Sequence, residues 1–297
     1  MVTGDAKIWC NCLYSGPEYY GFLTLFFIVA MSALFNVFTS PYFFNNDRGV
    51  LAALIVIWVS TLICVFAILR LIFSDPGIVP KSIYFREHFD PIKHMYREKI
   101  PAMAMEVPIR TFPVRCKFCE SCGVYRAPRV THCSSCDVCV EKFDHHCPWL
   151  GTCVGRRNYA TFLLFMYSLT IATLGMIGVS TAHLALYTLD DYADSNSMNS
   201  SIQSALRNNI AVAILLGIGV LFMWFVVGLT AYHTYLSAHA MTTYEHIRGA
   251  FETLGNPYDR GFCLWNIWAV FSTPNRPSWI NPKTRSTYHP LVLDSKE

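Results

Sequence analysis

Four long apolar runs with no charge near their middles restrict this chain more than anything else in it. They cover about residues Tyr20–Phe38, Val50–Phe73, Tyr159–Leu186 and Ile210–Leu236. A helix needs roughly 20 apolar residues to cross a bilayer, and each run supplies about that many. Only 14% of the 297 residues are charged, against about 25% in soluble domains. Helices of a soluble core are usually half polar, so four such runs are read as membrane spans. Arg70 stands at the end of the second run, where a long cationic side chain can reach the interface.

Lysine and arginine placement gives the expected topology. Thirteen of them lie between Lys81 and Arg157, whereas Thr39–Gly49 has only Arg48 and Tyr187–Asn209 has only Arg207, next to Asp190, Asp191 and Asp194. The positive-inside rule puts the segment between the second and third spans in the cytosol, and with it both termini. No cleavable leader pattern is visible, so the first span is expected to be an uncleaved anchor. Asn199-Ser200-Ser201 is then a glycosylation sequon on the lumenal side.

Eight of the 12 cysteines fall between Cys116 and Cys153. Cytosolic cysteines rarely pair in disulfides, so a dense cluster there reads as metal binding or catalysis. Two residues between cysteines let both thiolates face one ion, and zinc takes four such ligands tetrahedrally. The segment has few aliphatic residues, and bound metal would supply the missing folding energy. The possible ligands are Cys116, Cys119, Cys122, His132, Cys133, Cys136, Cys139, His145, His146, Cys147 and Cys153. Two closed sites use eight of these, so three are spare. Asp144-His145-His146-Cys147 also sets an acid, imidazoles and a thiol side by side. An imidazolium lowers the pKa of a neighbouring thiol, and a carboxylate can orient the imidazole. That combination suits nucleophilic catalysis through a covalent intermediate. Spacing leaves open whether these residues do that or merely complete a metal site.

At these residues the chain resembles the DHHC family of protein acyltransferases. The resemblance runs through Cys119-x-x-Cys122, Arg126-Ala127-Pro128-Arg129, His132-Cys133, Cys136, Cys139, Asp144-His145-His146-Cys147-Pro148-Trp149, Cys153-Val154-Gly155 and Asn158-Tyr159. Asp75-Pro76-Gly77, Thr242-Thr243-Tyr244-Glu245, and Asn256-Pro257-Tyr258-Asp259-Arg260-Gly261 with Asn266 match further family elements. Ala127 stands where many members have proline, and Leu150-Gly151-Thr152 replaces a common Val-Asn-Asn.

The resemblance implies an all-α integral membrane protein of four transmembrane helices, with a small cytosolic double-zinc module between the second and third. Residues 1–77 would hold the N-terminus and spans one and two, 78–158 the linker and zinc module, 159–236 spans three and four, and 237–297 the C-terminal region. It implies one zinc on Cys119, Cys122, His132 and Cys139, and a second on Cys133, Cys136, His146 and Cys153, both structural. It also implies that Cys147 is the nucleophile, with His145 as base and Asp144 orienting it. The co-substrate would be a long-chain acyl-CoA such as palmitoyl-CoA, the partners the bilayer and proteins with an accessible cysteine, and the location the Golgi or endoplasmic reticulum, with the plasma membrane as the alternative. An accessory subunit is a further candidate partner, and no nucleic acid is expected.

The resemblance further implies an acyl cavity among the spans with Cys147 at its cytosolic mouth. Gly175, Gly178, Ala182, Ala213 and Gly217 would let the helices approach around it. Thr242, Thr243 and Glu245 are read as a brace for the site, with Asn256 and Asn266 as packing elements. The aromatic stretch Phe262–Phe271 is expected at the membrane interface, with a soluble core strand as the alternative. Arg126, Arg129, Arg156 and Arg157 are candidates for the phosphates of coenzyme A or of anionic lipid. Cys10 and Cys12 are candidates for acylation of the chain itself. The competing readings are a non-catalytic membrane zinc scaffold and a RING-like ubiquitin ligase.

Overall fold

The computed structural model describes residues 7–9, 13–45, 50–81, 89–90, 95–96, 104–109, 112–253, 255–274 and 278–279. Cys10, Cys12, Arg48, Arg86, Lys93, Arg97, Lys99 and Arg110 lie outside the described residues. The chain divides into two compact units, one of Leu23–Leu69 with Phe162–His233 and the other of Met1–Phe22, Arg70–Thr161 and Thr234–Glu297.

The first unit is helical. Helix α1 is Tyr20–Phe38, α2 Ser40–Asn45, α3 Leu51–Ile72, α4 Tyr159–Ser195, α5 Met198–Asn208 and α6 Ile210–Ala238. Among the described residues, four helical segments are long and apolar enough to cross a membrane, Tyr20–Phe44, α3, α4 and α6. Pro41 has no N–H to extend α1 and sits in the first turn of α2, where that donor is not needed. Phe35, Phe43, Leu54, Ile57 and Val179 form the core of this unit, with Trp58, Met176 and Leu186 against them. Other large apolar side chains face outward, among them Leu221 at 73% exposure and Trp224 at 76%. Water would not tolerate so much continuous apolar surface, but lipid does. Trp58 Nε1 donates to Asn36 Oδ1 at 2.7 Å, and the hydroxyls of Thr170 and Thr230 meet at 2.8 Å. Such polar links between spans contribute about 0.6 kcal/mol each.

The third span is longer than its apolar run. At ~1.5 Å per residue, α4 is about 55 Å long, well beyond the ~30 Å hydrocarbon layer. Residues expected to be a loop instead continue the helix, because α5 folds back along it. The hydroxyls of Ser195 and Ser201 meet at 2.8 Å, Ser204 Oγ donates to Asp191 Oδ1 at 3.0 Å, and Asn208 Nδ2 donates to Tyr187 Oη at 2.9 Å. The sequon thus lies in α5, with Ser201 buried.

Small residues are used selectively. A Cβ on Gly175 would lie 2.6 Å from Ile57 Cγ1, so α3 and α4 touch there. Gly178 and Gly217 have open space at that position and do not mediate close packing.

The second unit is built from short strands. Strands β1 Lys7–Trp9 and β2 Leu13–Ser15 form a hairpin, as do β4 Phe89–Asp90 and β5 Met95–Tyr96, while β3 Ile78–Val79 pairs elsewhere. Strand β7 Phe112–Cys119 lies between β6 Ala104–Ile109 and β8 Val124–Tyr125. Strand β10 Val138–Val140 lies between β3 and β9 Thr131–Cys133, and β11 His145–Cys147 pairs with β12 Thr152–Val154. All pairings are antiparallel. Its two cores are Ile78, Val138 and Val140 with Cys133, Cys136 and Cys153, and Val79 and Val124 with Cys119, Cys122 and Cys139. Thiols thus fill the places that aliphatic side chains would take in a larger domain.

The C-terminal part supplies α7 Thr243–Ile247 and α8 Cys263–Ser272. The aromatic stretch is a helix and not a strand. Leu264, Trp265, Trp268 and Phe271 are exposed on it, and only Asn266 is buried. Asn256 Nδ2 donates to His239 O at 2.6 Å and Asn266 Nδ2 to Ala238 O at 2.8 Å. The two asparagines thereby satisfy carbonyls that the end of α6 leaves unpaired.

Gly175→Leu is expected to destabilise the helical unit by about 1–3 kcal/mol through overpacking, and Gly178→Leu to be neutral. Thermal denaturation of the two variants in detergent measures the contrast.

Candidate active site and metal centres

Strand alternation sorts the cysteines and histidines. Neighbouring residues on a strand point to opposite faces, and cross-strand partners share one. His132 pairs with Cys139 and Cys133 with Val138 across β9 and β10. One hairpin therefore sends His132 and Cys139 to one side and Cys133 to the other. His146 pairs with Cys153 across β11 and β12, while His145 faces Val154 and Cys147 faces Thr152. His146 thus shares a face with Cys153. His145 and Cys147 lie together on the opposite face.

Two clusters of three thiols and one imidazole result among the described residues. Cys119, Cys122, His132 and Cys139 bring their ligand atoms within 4.8 Å of one another, and so do Cys133, Cys136, His146 and Cys153. His132 Nδ1 is 3.4 Å from Cys122 Sγ. His146 Nδ1 is 3.4 Å from Cys136 Sγ and 3.7 Å from both Cys133 Sγ and Cys153 Sγ, and the Cys136 and Cys153 sulfurs are 3.5 Å apart. A tetrahedron with Zn–S bonds of ~2.3 Å has edges of about 3.8 Å, so the donor set fits zinc. The crowded thiols also disturb one another's protons. Hydrogen bonds from Cys122 and Cys139 hold the Cys119 thiol far below its ordinary range, and Cys119 in turn pushes Cys122 up. A divalent cation would relieve that conflict by stabilising several thiolates at once.

Asp144, His145 and Cys147 form a separate line. Asp144 is buried, with 1% of its surface exposed. Its Oδ2 accepts His145 Nδ1–H at 2.6 Å and Thr243 Oγ1–H at 2.8 Å, and its Oδ1 accepts Thr243 N–H at 2.9 Å. A carboxylate that only accepts fixes the imidazole proton on Nδ1 and leaves the other ring nitrogen to Cys147. Burial lowers the His145 pKa, but hydrogen bonds to Asp144 and Cys147 and their charges outweigh it and raise the value to about 9. Cys147 is itself buried, whereas Trp149 two residues on is exposed.

The residues read as a brace hold this line. Thr242 Oγ1 accepts Glu245 N–H at 3.2 Å, and Glu245 Oε2 accepts Thr242 N–H at 2.8 Å, a capping box that presents Thr243 to Asp144. Arg129 clamps Glu245 with two hydrogen bonds of 2.7 and 2.5 Å, donates to Ala240 O at 3.0 Å, and lies 4.2 Å from the Tyr258 ring centre. Both side chains of this pair are 9% exposed.

Two of the four arginines proposed for phosphate binding therefore have protein carboxylates as partners. Arg129 pairs with Glu245, and Arg157 Nε lies 3.2 Å from Asp75 Oδ2. Asp75 Oδ1 also accepts Gly77 N–H and Ile78 N–H at 2.8 Å each, which shapes the turn into β3. Arg126 lines a cleft of about 410 Å³ together with Lys117 and Arg248, and neither cation was singled out beside it on sequence grounds. A buried Cys116 stands apart from both clusters. In the helical unit, a cavity of about 90 Å³ is lined by Phe27, Met31, Cys64, Met176, Leu216 and Gly219 among others.

The family model described as DHHC palmitoyltransferase matches residues 114–250. Palmitoyltransferase ZDHHC18-B of Danio rerio is 35% identical over 87% of this chain and 67% of its own length. Palmitoyltransferase ZDHHC18 of Mus musculus is 36% identical over 87% and 68%, and palmitoyltransferase ZDHHC9 of Danio rerio 33% identical over 88% and 67%.

Removing one partner of the Arg129–Glu245 pair leaves a buried charge alone, so Arg129→Met or Glu245→Leu is expected to cost about 3–5 kcal/mol. The double variant is expected to recover part of that. A double-mutant cycle on denaturant unfolding measures the coupling.

Proposed function

This chain belongs to the DHHC palmitoyltransferase family, and on that premise we propose a two-step acyl transfer carried by Cys147. The observation that carries the reading is the Asp144–His145–Cys147 line, with His145 and Cys147 on the strand face away from His146. His145 takes the proton from Cys147 Sγ, and the thiolate attacks the carbonyl carbon of a long-chain acyl-CoA thioester such as palmitoyl-CoA. The C–S bond to coenzyme A breaks, the leaving thiolate regains a proton from His145, and an acyl-Cys147 thioester remains. A substrate protein's cysteine then gives its proton to His145 and attacks that thioester, which releases Cys147. One thioester replaces another in each step, so no oxidant or energy donor is required. Asp144 keeps the imidazole in the tautomer that can accept from sulfur and stabilises the imidazolium. Thr243 holds Asp144 in turn.

We assign one zinc ion to Cys119, Cys122, His132 and Cys139 and the second to Cys133, Cys136, His146 and Cys153. Four protein ligands fill each tetrahedron, so the ions would be structural and hold the strands in place. The phosphates of coenzyme A are placed on Lys117, Arg126 and Arg248. By the positive-inside rule we assign the zinc module to the cytosolic face, and we assign the chain to a Golgi or endoplasmic reticulum membrane, with proteins bearing a cysteine close to the bilayer as acceptors. A zinc scaffold or ubiquitin ligase leaves the Asp144–His145–Cys147 line without a role.

Cys147→Ser is expected to form no acyl-enzyme from labelled palmitoyl-CoA while keeping two zinc ions per chain. Loss of the zinc would refute the ligand assignment, and a surviving acyl-enzyme would refute the nucleophile. His145→Ala is expected to slow acyl-enzyme formation by about 10²–10⁴-fold in rapid-quench measurements.

A further inference from the structure

The N-terminal arm before the first span meets the zinc module through glycines. A Cβ on Gly16 would lie 1.8 Å from Gly151 O, and one on Gly21 would lie 2.6 Å from Leu150 O. A Cβ on Gly151, which has a φ of +67°, would lie 2.3 Å from Glu18 O. No side chain fits between these backbones. Gly151 lies in the turn from β11 to β12, with its N–H bonded to Cys147 O at 2.9 Å. The arm therefore rests on the turn that follows Cys147.

This contact places one carboxylate with care. Glu18 Oε2 lies 3.6 Å from His146 Nε2, and both atoms are buried with no hydrogen-bond partner among the described residues. His146 Nδ1 faces the three sulfurs of its cluster. A metal on Nδ1 puts the remaining ring proton on Nε2, and a buried N–H needs an acceptor. Metal-bound histidines usually donate that proton to a carboxylate, which fixes the ring and strengthens the ligand. The other cluster has the same arrangement, with His132 Nε2 lying 3.8 Å from Asp137 Oδ1.

We propose that Glu18 is the outer carboxylate of the second zinc site, so that the N-terminal arm is a working part of the catalytic module. Glu18 is a positioning residue. It acts through His146, which sits on the same short strand as Cys147, and it lies well outside the segment that the family model covers. The inference rests on the zinc reading above.

The test follows zinc release from the full chain in detergent to a chromogenic chelator. Glu18→Gln is isosteric and is expected to speed the loss of one of the two zinc ions by about 10–100-fold while the other leaves at the wild-type rate. Gly151→Ala displaces the arm and is expected to give the same single fast ion, with no further change when Glu18→Gln is added. Glu120→Gln, an exposed carboxylate beside the first cluster, is expected to leave both rates unchanged. Unchanged release from Glu18→Gln overturns the proposal. Equal acceleration of both ions overturns it as well, since that marks general loosening. Absence of two zinc ions in the wild-type protein refutes the zinc reading itself, and this inference with it.

Discussion

Two knots of three thiols and an imidazole stand at the centre of the strand module, and the rest of the proposed site depends on them. Its cores contain two or three aliphatic side chains each, and cysteines supply the rest. Strands of two or three residues do not persist through hydrogen bonds alone. Tetrahedral ligation of the two proposed ions would tie β9, β10, β11 and β12 into one frame and place His145 and Cys147 through it.

The frame positions chemistry through the simplest property of a strand. Alternation sends His146 to the thiol cluster and its two neighbours in β11 the other way, so ligation at His146 would aim the adjacent pair. Asp144 precedes the strand and is fixed from outside it by Thr243, whose helix is clamped by Glu245 and Arg129. A thiol cluster, a strand period and a buried ion pair thus converge on one imidazole. Each is ordinary, and together they set a carboxylate-paired imidazole of raised proton affinity next to a thiol.

Much of this was legible in the residues. Hydrophobic run length gave the spans to within a few residues at the cytosol-facing ends assigned by charge. It failed at the far end of α4, because Asp190, Asp191 and Asp194 end the apolar run but not the helix, which α5 supports through side-chain hydrogen bonds. Ligand counting showed that three groups had to be spare without naming them. The missing signal was β periodicity. Had β11 and β12 been read as a hairpin, His145 and Cys147 would have fallen on one face without any family resemblance. The arginines were legible only as charge, since Arg129 meets a glutamate more than one hundred residues away in sequence. Glu18 left no mark at all, because one acid in a short polar arm has no pattern to recognise.

The account depends on Cys147 carrying the acyl group between donor and acceptor. Mass spectrometry of peptides from protein mixed briefly with palmitoyl-CoA, with no acceptor protein present, addresses this directly. The account predicts a hydroxylamine-sensitive acyl adduct on the peptide that contains Cys147, formed at the rate of coenzyme A release. An adduct confined to another cysteine, or transfer to an added acceptor with no acyl-enzyme at any time, would contradict it.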